Sequence, residues 1–166
     1  MQFAVKSYLG TGLMKKLFFV EPAIYYPPAA LVMNIVVSRV KLVKFCNKKL
    51  GLRIGNKLKQ GLDIPLWIRK GIEFEKRCVR GLMDTDGCIF NKVHKMKNKQ
   101  YSYKRLSLVS ASPMLRKSIF DILEKLRLSP KIRGNRSVQI ENKEKIAEYF
   151  KVVGSSNPKH LNRYHK

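Results

Sequence analysis

The sequence predicts an α+β fold, with one complete αββαββα unit over residues 72–166 preceded by a partial αββα unit over residues 1–71. The first observation behind this is a repeat. Residues 13–22 (LMKKLFFVEP) parallel residues 122–130 (ILEKLRLSP), each a helix end followed by a proline. Residues 38–46 (SRVKLVKFC) parallel residues 142–150 (NKEKIAEYF) in the same order. The second is periodicity, which switches from helical spacing (Leu42, Phe45, Cys46; Ile146, Tyr149, Phe150) to strict alternation in between. The third is punctuation: Ser38 and Asn142 are N-cap types, and Gly51 and Gly154 stand where helices stop.

The elements follow in order. A helix is expected over residues 5–18, a hairpin over 23–37 and a helix over 38–50. Residues 51–72 read as a connector, with Gly51, Gly55 and Gly61 and an apolar anchor at residues 64–68 (IPLWI) packing onto the core. A helix over about 73–85 leads into strands at 87–94 and 101–109, joined by a polar turn at 95–100. Ser112, with Pro113 at the first helical position, opens a helix to about residue 128. Strands 131–134 and 137–141 and a helix over 143–153 complete the unit. The first half lacks the helix corresponding to 73–85 and the two strands after it.

Composition narrows the function. The 166 residues carry 35 Lys+Arg against 11 Asp+Glu, a formal net charge of +24. Hydrophobic residues at 45% and charged residues at 28% describe a folded core under a charged surface rather than disorder. Such a surface binds polyanions, because neutralising phosphates releases condensed counterions. The basic residues run from Lys6 to Lys166 rather than along one amphipathic helix, which excludes a membrane-surface protein. Residues 22–38 lack charge but are broken by Pro22, Pro27 and Pro28, too short a stretch to span a bilayer. The N-terminus, with Lys6, Lys15 and Lys16, lacks the apolar run of a signal peptide. Cys46, Cys78 and Cys88 form no Cys-x-x-Cys pair, so neither a zinc site nor a disulfide framework is indicated. A reducing, cytoplasmic location is expected.

The segment richest in chemistry is residues 79–87 (VRGLMDTDG), an apolar helical run ending in Asp-x-Asp-Gly. It is no EF-hand start, since the fifth position is Cys88 and the twelfth Lys95. Residues 51–57 (GLRIGNK) are no P-loop, having the wrong spacing and no Ser or Thr after the lysine. Asp84 and Asp86, two residues apart on a helix, point to opposite sides and should do different jobs. Small residues at Gly81 and Thr85, one turn apart, let a second helix approach closely.

This segment resembles the signature of the LAGLIDADG homing endonucleases, DNA-cutting proteins often encoded within introns and inteins. The tail at residues 154–164 (GSSNPKHLNRY) and the connector also resemble parts of that family, so the likeness covers essentially the whole chain. It implies the LAGLIDADG fold and phosphodiester hydrolysis at a long recognition site with Mg²⁺ or another divalent cation. It implies that Asp86 is the catalytic carboxylate and metal ligand, with the main-chain carbonyl of Thr85 beside it. Gly81, Asp84 and Gly87 are implied to be structural parts of the signature. The water-polarising lysine of the family has no matched position here, Lys143 being nearby.

Alternation fixes the candidate reading surface. Lys92 and His94 point outward from the first long strand while Ile89 and Val93 point inward, and Tyr103, Arg105 and Ser107 point outward from the next while Leu106 and Leu108 point inward. In the later pair Ile132, Val138 and Ile140 face inward, with Lys131, Arg133, Ser137 and Gln139 outward. Arg, Lys and Gln on a twisted ribbon are the groups that reach base edges in a major groove of double-stranded DNA. The chain carries the signature once. Its only acids before residue 72 are Glu21 and Asp63, neither placed as a signature acid. The resemblance therefore implies an N-terminally shortened member, with self-association through the signature helix. An endonuclease, an intron RNA maturase and a non-catalytic DNA-binding remnant all remain open at this point.

Overall fold

The structure is a computed structural model that describes residues 2–4, 9–27, 34–56, 58–97 and 99–166. The chain divides into two compact units, Met1–Gly55 and Asn56–Lys166. The division falls inside the connector, so that most of the connector belongs to the second unit. The reason is packing: Ile64 is buried in the same apolar cluster as Val79, Met83 and Leu115. Ser112 reinforces this by donating its hydroxyl to the Leu62 carbonyl at 2.5 Å.

In the first unit the elements are β1 (Gln2–Ala4), α1 (Leu9–Phe18), β2 (Ala23–Tyr25), β3 (Asn34–Val36) and α2 (Val40–Lys48). The strands form one antiparallel sheet in the order β1-β3-β2, with Ile35 opposite both Phe3 and Ile24. Strand β1 precedes the predicted αββα order; three residues are too few to show an alternation. The predicted start of the first helix at residues 5–8 and the hairpin tip at residues 28–33 lie outside the described residues. Ile35, Val37 and Cys46 are buried. The N-cap of α2 is Arg39, without a side-chain cap, not the predicted Ser38.

The second unit runs α3 (Ile72–Asp86), β4 (Gly87–Met96), β5 (Lys99–Val109), α4 (Pro113–Lys125), β6 (Lys131–Arg133), β7 (Ser137–Ile140), α5 (Lys143–Val152) and α6 (Pro158–His165), with a short 3-10 turn at Ile68–Lys70 before α3. The sheet is antiparallel in the order β4-β5-β7-β6. Its inner face carries Ile89, Leu106, Leu108, Val138 and Ile140, which pack with Val79 and Met83 of α3, with Leu115, Ile119, Ile122 and Leu123 of α4, and with Ile146 and Tyr149 of α5. At roughly 1.5–3 kcal/mol for each fully buried apolar side chain, this cluster is the main favourable term of the unit.

Local chemistry explains the boundaries. Ser112 and Asn142 cap α4 and α5, accepting from the N–H groups of Leu115 (3.3 Å) and Lys145 (2.9 Å). Helix α4 stops at Lys125, earlier than predicted, because Arg127 takes a left-handed φ of 58° and returns its N–H to the Glu124 carbonyl. Gly154, with φ 76°, ends α5 in the left-handed conformation that glycine adopts at no steric cost. Of the connector's apolar anchor, Ile64 is buried and Ile68 packs against the same cluster, while Leu66 is exposed and Trp67 sets its ring edge-on against Phe74. Glu75 is buried on α3 and is held by Lys125 at 2.7 Å and Arg69 at 3.6 Å, joining the 3-10 turn, α3 and α4. Among the described residues no helix is long and apolar enough to cross a membrane.

Candidate nucleic-acid interface and acidic site

Helix α3 separates its two terminal carboxylates. Asp84 faces the tail, accepting from the Ser155 hydroxyl at 2.5 Å and the Ser156 N–H at 2.9 Å, while its main-chain carbonyl accepts from Asn157 Nδ2 at 2.8 Å. Buried His160 lies beneath, its Nδ1 3.9 Å from the Asp84 carboxylate. Burial lowers the His160 pKa below the usual imidazole value, so the ring is neutral near pH 7. Asp84 is therefore a latch between α3 and the tail. The tail itself forms α6, a helix beyond the elements that the sequence predicts; Asn157 caps it, accepting from Lys159 N–H at 3.0 Å.

Asp86 is exposed, and its carboxylate accepts from the Thr85 hydroxyl at 3.3 Å. The same hydroxyl lies within hydrogen-bond range of the Gly81 and Leu82 carbonyls at 3.1 and 3.2 Å. At a helix C-terminus the last carbonyls lack intrahelical donors, which leaves the Thr85 carbonyl available beside the carboxylate. A carboxylate and a carbonyl are hard oxygens, the class Mg²⁺ prefers when substrate phosphates and waters supply the remaining ligands. Among the described residues no cluster of three or more His, Cys, Asp or Glu has metal-binding geometry. The acids before α3 are engaged elsewhere: Glu21 pairs with Lys15 at 2.6 Å, and Asp63 accepts the Ile64 N–H at 2.7 Å.

Gly87 makes the transition from helix to strand. Its φ of −89° is open to any residue, so the requirement is space. A Cβ there would stand 2.5 Å from the Met83 carbonyl oxygen and 2.9 Å from Met83 Cα, and would collide with the Met83 sulfur. Gly87→Ala is expected to destabilise the unit by about 1–3 kcal/mol through overpacking against backbone. Thermal unfolding checks this; an unchanged midpoint would show that the helix end relaxes freely. At Gly81, by contrast, a Cβ would meet nothing within 4 Å, and with Thr85 and Phe74 it lies on the exposed side of α3.

The strand register assembles the candidate reading face. Lys92 pairs with Tyr103 and His94 with Tyr101; Ser107 pairs with Gln139, Lys131 with Gln139 and Arg133 with Ser137. Alternation then places Lys92, His94, Tyr103, Arg105, Ser107, Lys131, Arg133, Ser137 and Gln139 on the face opposite the core. Ser107 is buried there, on a central strand between Cys88 and Gln139, and is not accessible to a ligand. Two inward-reading residues are not enclosed: Val93 is 48% exposed and Ile132 47%. The β4–β5 hairpin extends past the end of β7, which pairs only with Leu106–Val109 of β5, and β6 is an edge strand.

The sequence reading missed Phe90, Tyr101 and Glu141 on this face. Tyr101 and Tyr103 stack at 6.4 Å, with His94 edge-on to Tyr103 at 6.1 Å. Glu141 follows β7 and gathers three cations. Arg133 grips it with both ends of a fork, Nε to Oε1 and Nη2 to Oε2, each at 2.8 Å. Arg105 Nη1 approaches to 2.9 Å and Lys131 Nζ to 3.5 Å. The Arg133 hydrogen bond is the chief reason the Glu141 pKa falls to about 2, so the carboxylate stays ionised at any working pH. A carboxylate flanked by lysine and arginine at alternating positions was readable as a charge pattern; that one acid would meet three cations depended on the register.

This α+β fold is similar to that of solved LAGLIDADG homing endonucleases. Among solved structures, the chain aligns with meganuclease I-SmaMI bound to uncleavable DNA at TM-score 0.61 and 9% identity, covering 98% of this chain and 75% of that one. I-LtrWI bound to target DNA aligns at TM-score 0.59 and 14% identity, covering 98% and 74%. I-AabMI bound to uncleaved DNA aligns at TM-score 0.52 and 13% identity, covering 98% and 76%. No protein-family model matches the sequence, and no curated protein does.

Proposed function

We propose that the chain is a DNA endonuclease that holds double-stranded DNA against the outward face of the β4-β5-β7-β6 sheet and hydrolyses a phosphodiester beside Asp86. The observation that carries this reading is the register, which gathers Lys92, His94, Tyr103, Arg105, Lys131, Arg133 and Gln139 on a single face of a sheet whose first strand begins directly after Asp86. A two-stranded ribbon of this kind enters a major groove, and its cations neutralise the phosphates on either side. The Asp86 carboxylate and the Thr85 carbonyl would hold Mg²⁺ or another divalent cation, which supplies charge neutralisation at the scissile phosphate. Asp84, committed to Ser155 and Ser156, holds the end of α3 in place. The exposed Phe74–Gly81–Thr85 side of α3 is the surface we assign to self-association, which would bring a second Asp86 to the other strand.

One observation favours RNA as an additional ligand. The stacked, exposed Tyr101–Tyr103 pair is the kind of platform on which unpaired bases stack. The test begins by selecting duplexes from a random-sequence pool on the 166-residue chain. The selected duplex is then incubated with Mg²⁺ or with EDTA, with a structured RNA as competitor and sedimentation to give the oligomeric state. Strand scission with Mg²⁺ and an intact bound duplex with EDTA are expected. Binding without scission in either leaves a DNA-binding remnant, and preferential displacement by the RNA makes the maturase reading the correct one.

A further inference from the structure

We propose that Glu141 is a specificity-determining residue: by gripping one edge of the Arg133 guanidinium it presents the opposite edge to a guanine base rather than to a phosphate. The inference rests on the assignment of this sheet face to DNA and goes beyond it, because it says which part of the face reads sequence.

The chemistry starts from the guanidinium, a planar fork with five N–H donors. Glu141 occupies the Nε side, with Nε and Nη2 each at 2.8 Å from a carboxylate oxygen. The Nη1–Nη2 end keeps its remaining hydrogens, and two of these match the O6 and N7 acceptors of guanine in the major groove. An unbraced arginine is long and flexible and turns to the nearest phosphate. Held in advance, it loses little rotamer freedom on meeting a base and cannot swing away to a phosphate without breaking a bidentate contact. Arg133 remains 53% exposed although it is braced, so its outer edge is open to a ligand.

The Arg105–Glu141 pair is largely enclosed, with side chains 14% and 12% exposed, and serves the fold. Stability does not account for Arg133 and Lys131, which are both more than half exposed, where ion pairs contribute little to folding. A carboxylate on the face that meets a polyanion also weakens non-specific attraction, a cost that selectivity would offset. The surroundings are ordered in the same way: Gln139 donates to the Ser137 hydroxyl at 3.2 Å, and that hydroxyl donates to the Arg133 carbonyl at 2.9 Å. The β4–β5 ribbon is different. Residues 87–109 contain no acid, so Lys92 and Lys99 have no carboxylate on their own hairpin to brace them. The face therefore divides into a braced patch on β6 and β7 that reads bases and a cationic ribbon on β4 and β5 that grips phosphates.

The experiment compares the parent chain, Glu141→Gln and Arg133→Lys. Each is used to select from a random-sequence duplex pool, and binding to an unselected duplex is followed against salt. The parent is expected to recover a site with a guanine that both variants lose, discrimination there falling from about 5- to 150-fold towards none. Glu141→Gln should also bind the unselected duplex more tightly, with a salt slope steeper by about one to two from the released cations. Arg133→Lys keeps its charge and its slope but cannot make the fork, so the two variants are told apart. If Glu141→Gln does not fold by circular dichroism, Arg133→Lys decides: loss of the guanine supports the proposal and its retention overturns it. A steep parental slope with a guanine unchanged in both variants, or with no guanine selected, overturns the role of Glu141 and leaves DNA binding standing. A shallow parental slope with no selected sequence overturns DNA binding itself, and the role of Glu141 with it.

Discussion

Asp86→Asn is expected to abolish strand scission while leaving duplex binding intact or slightly tighter. The substitution is nearly isosteric, and the Thr85 hydroxyl that donates to Asp86 at 3.3 Å meets an amide oxygen just as well, so the end of α3 is preserved. The loss is one negative charge and the strongest oxygen donor of the site. Charge neutralisation at a phosphoryl centre is worth several kcal/mol, which corresponds to a rate lower by about 10³-fold or more. Binding moves the other way, because a carboxylate facing a phosphate is repulsive. Asp84→Asn is the matched control. It removes the same charge two residues earlier, where the carboxylate is occupied by Ser155 and Ser156, and its effect should fall on thermal stability. Mg²⁺-dependent nicking by Asp86→Asn at the parental rate would remove Asp86 from the site.

How much of this was legible in the sequence follows the range of the interactions. Signals that act within a few residues could be read: the Ser112, Asn142 and Gly154 caps, and the alternation that puts Lys92, His94, Tyr103 and Arg105 on one side. Signals that depend on which strand lies beside which could not. Glu141 reads as an acid ending a strand, and only pairing of Leu106 with Ile140 brings it level with Arg105. Ser107 alternates outward as predicted yet is buried by its neighbours on a central strand. Strand β1 exists because β3 offers it an edge, and the tail becomes helical from Pro158, with Asn157 tied to the Asp84 carbonyl. That Asp84 and Asp86 meet different surroundings was implied by their i, i+2 spacing. The partners that make Asp84 a latch lie more than seventy residues away, beyond any local pattern.

Duplex binding is expected to weaken steeply with salt, by about 10³–10⁵ between 50 and 200 mM if roughly six to ten phosphates are neutralised. The fold sharpens what that slope means. Lys92, Lys99, Arg105, Lys131 and Arg133 lie on the outward sheet face by register, with Glu141 among them. If every one of those cations met a phosphate the slope would be about −4.5, a loss of about 500-fold over the same fourfold change in salt. This is an upper limit for the sheet face, because Glu141 holds Arg105 and Arg133. A steeper slope therefore requires lysines and arginines beyond the sheet face to track the backbone as well, as a chain of net charge +24 allows. A slope close to the sheet value would confine the footprint to β4–β7, leaving most of the charge outside the contact. A slope of one or two would mean that the charge serves something other than a duplex. Binding isotherms on an unselected duplex across that salt range distinguish the three, and they should be measured with EDTA present so that scission does not erode the bound fraction.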